Sequence, residues 1–200
     1  FGSSHPLAST IASTTVIMKR PDGNFVILTA NGTVNAQLFN DSTGSTTALG
    51  ITPTVPISSG AFAVKRPDGK FLIVMGNQNI TNIYDPLGNT FTAGPNLIAN
   101  AGPGSTPLPL PNGRIFILHG NNSNTTSIYD PVFNTMTAGT STPDNIGVGA
   151  VVIPRPDGKF LIAPGMAGIN CGTVVTRTWL FDPYAFAIFG MILLLLNILF

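Results

Sequence analysis

Arg66-Pro67-Asp68-Gly69-Lys70-Phe71-Leu72-Ile73-Val74, followed by Tyr84-Asp85-Pro86 and Asn89-Thr90-Phe91-Thr92-Ala93-Gly94, sets the architecture of the whole chain. Pro67 presets φ for the first corner of a tight turn, and Gly69 accepts the positive φ that follows. The unbroken apolar run from Phe71 reads as a strand covered on both faces. Thr90-Phe91-Thr92 alternates polar and apolar, which suits an exposed outer strand.

The same stretch recurs along the chain. It precedes itself as Arg20-Pro21-Asp22-Gly23-Asn24-Phe25-Val26-Ile27-Leu28, and returns as Pro111-Asn112-Gly113-Arg114-Ile115-Phe116-Ile117-Leu118 and as Arg155-Pro156-Asp157-Gly158-Lys159-Phe160-Leu161-Ile162-Ala163. The glycines at 23, 69, 113 and 158 lie 46, 44 and 45 residues apart. A second block keeps step: Leu38-Phe39-Asn40-Asp41, Ile83-Tyr84-Asp85-Pro86, Ile128-Tyr129-Asp130-Pro131 and Leu180-Phe181-Asp182-Pro183. A first apolar strand precedes each turn, at 14–18, 60–64 and 148–153. Its counterpart at 105–110 holds Pro107 and Pro109, which belong on an edge. Each unit therefore predicts four short strands, in units of about 10–50, 51–94, 95–139 and 140–190. The outer strand of the last unit is expected at 185–190.

Composition narrows the function. Of 200 residues only 8% are charged and the net charge is +1, against about 25% charged in ordinary soluble chains. Helical bundles and charge-driven disorder are excluded, and no basic patch marks a nucleic-acid binder. Cys171 is the sole cysteine, which excludes an intrachain disulfide and a cysteine zinc site. The neutral, Asn- and Thr-rich composition reads as an exported or particle-surface protein. The chain opens on Phe1 without a signal peptide, so the expectation is a processed leader or a fragment.

A unit of about 45 residues with four strands has the size of a β-propeller blade. Asp68-Gly69-Lys70, Gly76, Tyr84-Asp85-Pro86 and Asn89-Thr90-Phe91 resemble, in order, the kelch repeat and the blades of galactose-oxidase-type propellers. Asn112-Gly113-Arg114, Gly120, Tyr129-Asp130-Pro131 and Asn134-Thr135 repeat the match. The resemblance covers roughly residues 10–190. It departs from the family at the second strand's end, where a double glycine is single (Gly76, Gly120). The family's last-strand Trp is Phe91 or Met136 here, and the first unit has Phe39-Asn40-Asp41 for Tyr-Asp-Pro. The resemblance implies an all-β propeller of four-stranded antiparallel blades. The four units are either a complete ring or part of a larger one.

Catalytic signatures are weak. Galactose-oxidase relatives hold copper with Tyr and His, but Tyr84 and Tyr129 fill one repeat slot. Tyr184, His5, His119 and Cys171 show no ligand spacing. A sialidase-type Asp box has its nearest counterpart at Tyr84–Phe91, shifted by one residue. Glycoside hydrolysis needs a carboxylate pair, yet every Asp except Asp144 sits in a repeated slot, where it reads as a turn cap. Calcium held by such turns is the alternative. No catalytic, cofactor-binding or metal residue is therefore assigned.

Two surface features remain. Lys19, Arg20, Lys65, Arg66, Arg114 and Arg155 recur beside the turn between first and second strands, either as solvated turn charge or as a weakly cationic rim for acidic glycans or lipid headgroups. In the last unit an insertion at 166–177 carries Asn170, Cys171 and Arg177 and runs into Trp179; loops on a rigid repeat are where binding is usually placed. Residues 191–200, Met191-Ile192-Leu193-Leu194-Leu195-Leu196-Asn197-Ile198-Leu199-Phe200, form an apolar tail outside the repeat. It reads as a membrane anchor, a segment buried on a neighbouring subunit, or a truncated end. The expected function is a non-enzymatic binding or structural propeller with a protein or glycan partner. The alternative is a fragment of a carbohydrate-active propeller enzyme whose site lies outside these repeats.

Overall fold

The computed structural model describes residues 14–30, 34–167, 173–174 and 177–185. Every element among them is a strand. The first sheet contains β1 (Thr15–Lys19), β2 (Phe25–Ala30), β3 (Val34–Phe39) and β4 (Thr46–Ala48). The second contains β5 (Phe62–Lys65), β6 (Phe71–Val74), β7 (Thr81–Asp85) and β8 (Thr90–Ala93). The third contains β9 (Thr106–Pro109), β10 (Ile115–Leu118), β11 (Thr126–Asp130) and β12 (Thr135–Ala138). The fourth opens with β13 (Val151–Pro154) and β14 (Phe160–Ala163). A small hairpin of β15 (Met166–Ala167) and β16 (Thr173–Val174) intervenes before β17 (Trp179–Phe181) pairs with β14.

All pairings are antiparallel and run in chain order within each sheet. Pro107 and Pro109 lie on β9, which is an edge strand, as their missing N–H groups require. The expected outer strand at 185–190 of the fourth unit lies outside the described residues, apart from Ala185, and so does the tail at 191–200. The insertion expected as a loop carries the β15–β16 hairpin, with Met166 opposite Val174.

Strand alternation explains how sheets stack. Neighbouring residues on a strand face opposite sides, so an apolar run serves two cores at once. On β6, Phe71 and Ile73 join Val16, Met18, Val26 and Leu28 of the first sheet. Leu72 and Val74, between them, join Ile115, Ile117 and Tyr129 of the third sheet. Leu108, Phe116 and Leu118 of the third sheet pack with Phe160, Ile162 and Phe181 of the fourth. Each of the first three sheets thus has a forward face that meets its successor, and each of the last three a rear face that meets its predecessor. Among the described residues no hydrophobic cluster joins the fourth sheet to the first.

The turn glycines take the conformation the sequence requires: φ is +89° at Gly23, +83° at Gly69, +78° at Gly113 and +78° at Gly158. A Cβ at Gly69 would meet nothing within 4 Å. Gly69→Val therefore carries only the cost of positive φ for a β-branched residue. The expected loss is roughly 1–3 kcal/mol, read from chemical denaturation. An unchanged midpoint would show that the turn relaxes to another type.

Candidate functional site

The chemistry-bearing side chains gather at two places, the turns at one end of the sheets and the crossover segments at the other. At the turns, an arginine reaches forward onto the next sheet. Arg20 Nη1 donates to Tyr84 Oη at 2.8 Å and to Asn89 Oδ1 at 3.3 Å. Arg66 repeats the move one sheet later: Nη1 donates to Asn134 Oδ1 at 3.3 Å, Nη2 donates to the Pro131 carbonyl at 3.0 Å, and the guanidinium lies 5.7 Å from the Tyr129 ring centre. Each tyrosine hydroxyl also donates to its own sheet's asparagine, Tyr84 to Asn89 and Tyr129 to Asn134. Those asparagines sit at φ +48° and +53°, a conformation asparagine tolerates better than most residues. Burial pushes both tyrosine hydroxyls above their ordinary pKa, with the facing arginine acting in the opposite sense.

The third junction replaces this polar contact with an apolar one. Leu110 stands where Arg20 and Arg66 stand, and Phe181 stands where Tyr84 and Tyr129 stand. The two belong to one core, with Phe116 stacked 4.8 Å from Phe181. Arginine and tyrosine change together to leucine and phenylalanine because a buried hydroxyl or guanidinium without its partner would cost its desolvation.

Within the second, third and fourth sheets a further ion pair ties the turn to the end of the third strand. Lys70 meets Asp85 at 3.0 Å, Arg114 meets Asp130 at 2.9 Å and Lys159 meets Asp182 at 3.0 Å. The same carboxylates cap the following turn, Asp85 accepting from the Leu87 and Gly88 N–H groups and Asp130 from Val132 and Phe133. The Gly88 N–H and Lys70 hold the Asp85 carboxyl below its ordinary pKa. For Asp130, burial opposes ionisation, but the Phe133 and Val132 N–H groups and Arg114 outweigh it.

The basic residues singled out from sequence therefore divide. Arg20 and Arg66 are largely buried inter-sheet ties that also pair with Asp22 and Asp68, at 3.1 Å and 3.0 Å. Arg114 is an intra-sheet tie, Arg155 pairs with Asp157 at 3.2 Å, Lys19 covers the Phe25 ring at 5.5 Å and Lys65 is exposed.

At the other end, a buried polar residue of the third strand anchors the crossover from the preceding sheet. Asn82 accepts from the Thr54 N–H at 3.0 Å, and Ser127 Oγ accepts from the Ile98 N–H at 3.2 Å. In the fourth unit the crossover position is Pro143, which has no N–H to give, and the third-strand position is Trp179. Its indole Nε1 donates instead to Asp144 Oδ2 at 3.1 Å, while Arg177 Nη2 donates to Asp144 Oδ1 at 2.7 Å. Asp144 is thus the partner of the off-pattern Trp179 and Arg177. Its own departure from the repeat is the signal for it. Beside this cluster a mainly apolar groove of about 220 Å³ runs between the third and fourth sheets, lined by Phe116, Thr142, Pro143, Trp179, Phe181 and Ala185 among others. Asn170 and Cys171 lie outside the described residues.

His119 occupies the slot of Met75. It is fully buried, its Nε2 is 2.7 Å from Ser127 Oγ, and its Nδ1 has no hydrogen-bond partner. Burial pushes its pKa down to about 4. Tyr84 and Tyr129 sit in separate inter-sheet contacts, so the described tyrosines and His119 do not converge as a copper set would require.

No protein-family model and no curated protein matches the chain. Among the described residues no helix is long and apolar enough to cross a membrane, and no group of three His, Cys, Asp or Glu side chains is placed to hold a metal ion.

Proposed function

We propose that the four units are kelch-like propeller blades acting as a non-enzymatic binding or structural module of an exported, cell-surface or particle-coat protein. The observation that supports this is the use made of the polar side chains. Seven of the eight aspartates accept hydrogen bonds or ion pairs that shape turns or tie strands, and the two repeat tyrosines meet an arginine of the preceding sheet. Glycoside hydrolysis would need two carboxylates free to protonate and attack a glycosidic bond, whereas these aspartates are engaged by turn N–H groups, the Trp179 indole, arginines or lysines. A rigid scaffold with committed polar groups leaves recognition to its loops and grooves. The groove at Trp179 offers an aromatic side chain together with Thr142 and Asp182, a combination suited to the apolar face and hydroxyls of a sugar or to a peptide side chain. The tail at 191–200 is the proposed attachment to a membrane or a neighbouring subunit.

A glycan array probed with the full chain and with Trp179→Ala tests the reading. Binding by the parent that falls at least tenfold in the variant, measured at a temperature below the variant's own melting transition, is the expected result on the scale of a lost aromatic contact, roughly 1.5 kcal/mol. Turnover of any arrayed sugar, or binding indifferent to Trp179, would overturn it.

A further inference from the structure

The forward face of the fourth sheet is built like those of the other three and is not covered among the described residues. A cross-strand row defines this face in every unit. It is Met18–Val26–Leu38 in the first, Val64–Leu72–Ile83 in the second and Leu108–Phe116–Ile128 in the third. All three rows belong to inter-sheet cores. The fourth row is Ile153–Leu161–Leu180. Ile153 is 51% exposed, Leu180 54%, and Val151 on the same face 49%. Arg155 completes the pattern: it fills the slot of Arg20 and Arg66. Those two side chains are 16% and 9% exposed against the following sheet, whereas Arg155 is 44% exposed, with Asp157 as its ion-pair partner.

We infer that this face is a docking surface for a further β-sheet that presents a tyrosine hydroxyl and an asparagine side chain at the positions of Tyr84 and Asn89, and not for the rear face of this chain's own first sheet. The two kinds of junction seen here carry the choice. Arginine is matched with tyrosine and asparagine at two junctions, and leucine with phenylalanine at the third. The first sheet offers Phe39 and Gly44 at those positions, so Arg155 would meet a ring without a hydroxyl and no asparagine carbonyl. A guanidinium buried there would keep Asp157 and could reach a backbone carbonyl, as Arg66 does, but would lose water without gaining the tyrosine and asparagine oxygens. Phe39 is the counterpart of Phe181, which shares its core with Leu110, and the fourth sheet does not supply a leucine at 155. A second copy docking head to tail meets the same mismatch, since its Tyr84 and Tyr129 are already covered. The inference rests on the stacking geometry and is independent of whether the protein binds a glycan.

The test supplies the missing pair. In full-length chain with Cys171→Ser, Ile153→Cys reports the fourth face and Ile17→Cys, on the rear face of the first sheet, reports the competing surface. Both substitutions in one chain read self-closure, and a mixture of the singly substituted chains reads docking of a second copy. With the native first sheet, the thiol introduced at position 153 should react with maleimide as an exposed group, and little disulfide should form between positions 17 and 153. Phe39→Tyr with Gly44→Asn should raise that cross-linking by roughly tenfold or more, the weight of one charge-assisted hydrogen bond, and Arg155→Leu should abolish the gain. Gly44 has φ +69°, close to Asn89 and Asn134, so asparagine fits there. Should Phe39→Tyr/Gly44→Asn fail to fold, Arg155→Leu against the native Phe39 serves instead, and should itself increase cross-linking by recreating the Leu110–Phe181 match. Efficient cross-linking with the native sequence would overturn the inference in favour of self-closure or a second copy. A thiol at position 153 that is protected without cross-linking, and freed by deleting residues 191–200, would overturn it in favour of the tail. An absence of gain in both designed pairs would overturn it outright.

Discussion

Stability falls as pH drops from about 6.5 to about 4, by roughly 3 kcal/mol, and His119→Met removes that fall. His119 has its ordinary pKa of 6.5 when the chain is unfolded and about 4 when folded, because burial disfavours the imidazolium. Between those values the unfolded chain binds a proton that the folded chain does not. The stability conferred by a neutral His119 is therefore fully present above the unfolded pKa and is lost as pH falls through the folded one. Burial is the physical reason, and the unpartnered Nδ1 adds to it: the imidazolium carries an N–H on both nitrogens, and Nδ1 has no acceptor beside it. Methionine already fills this slot in the second sheet, as the fully buried Met75, so the variant should fold. The capped carboxylates Asp85 and Asp130 have lowered pKa values, so their contribution is lost only below about 4, as acid protonates them. Urea denaturation of parent and His119→Met across this range checks the expectation. Parallel pH profiles for the two chains would show that His119 protonates without cost.

Gly120→Ala is expected to cost more than Gly69→Val although it adds a smaller side chain, by roughly 3–5 kcal/mol, and to abolish cooperative unfolding if the chain is less stable than that. A Cβ at Gly120 would stand 2.4 Å from the Pro103 carbonyl oxygen and 2.5 Å from the Ser105 nitrogen, with φ at +61°. Gly76 and Gly165 repeat the arrangement, with backbone oxygens 2.3 Å and 2.5 Å from the added atom. In each case the end of the second strand passes directly against the loop entering the first, which is held by backbone bonds such as Gly102 N–H to the His119 carbonyl at 2.8 Å. Neither partner is a side chain that can swing away. The comparison with Gly69, where strain acts without a clash, separates the two effects. Equal melting shifts for the two variants would mean that the loop at 102–105 yields.

Gly69 and Gly120 also differ in how far they can be read without coordinates. A positive φ at Gly69 follows from Pro-Asp-Gly alone, because turn chemistry is local. The close approach at Gly120 does not, because the atoms it avoids belong to residues 102–105, brought back by strand pairing. The strand order within each sheet is legible in the same way as the turn. Apolar runs, turn residues and a period near 45 predict hairpin after hairpin, and the sheets form in that order. The outer strand of the fourth unit and the tail belong to residues the structure does not describe.

The charged residues take their roles from tertiary contacts. From sequence, Arg20, Arg66 and Arg155 are identical members of a basic turn, with nothing to separate a solvated rim from buried ties. Which of them is committed to a neighbour depends on the sheet that follows, a contact between residues more than 60 positions apart. Asp144 reads as a stray carboxylate until Trp179 and Arg177 fold against it. The repeat, the turns and the two-sided strands follow from the order of residues alone, because they depend on backbone conformation and on alternation between neighbours. Three outcomes do not: which polar groups join sheets, the exchange of arginine and tyrosine for leucine and phenylalanine at the third junction, and the fourth sheet's forward face staying uncovered among the described residues. Those depend on desolvation, and desolvation depends on what lies opposite.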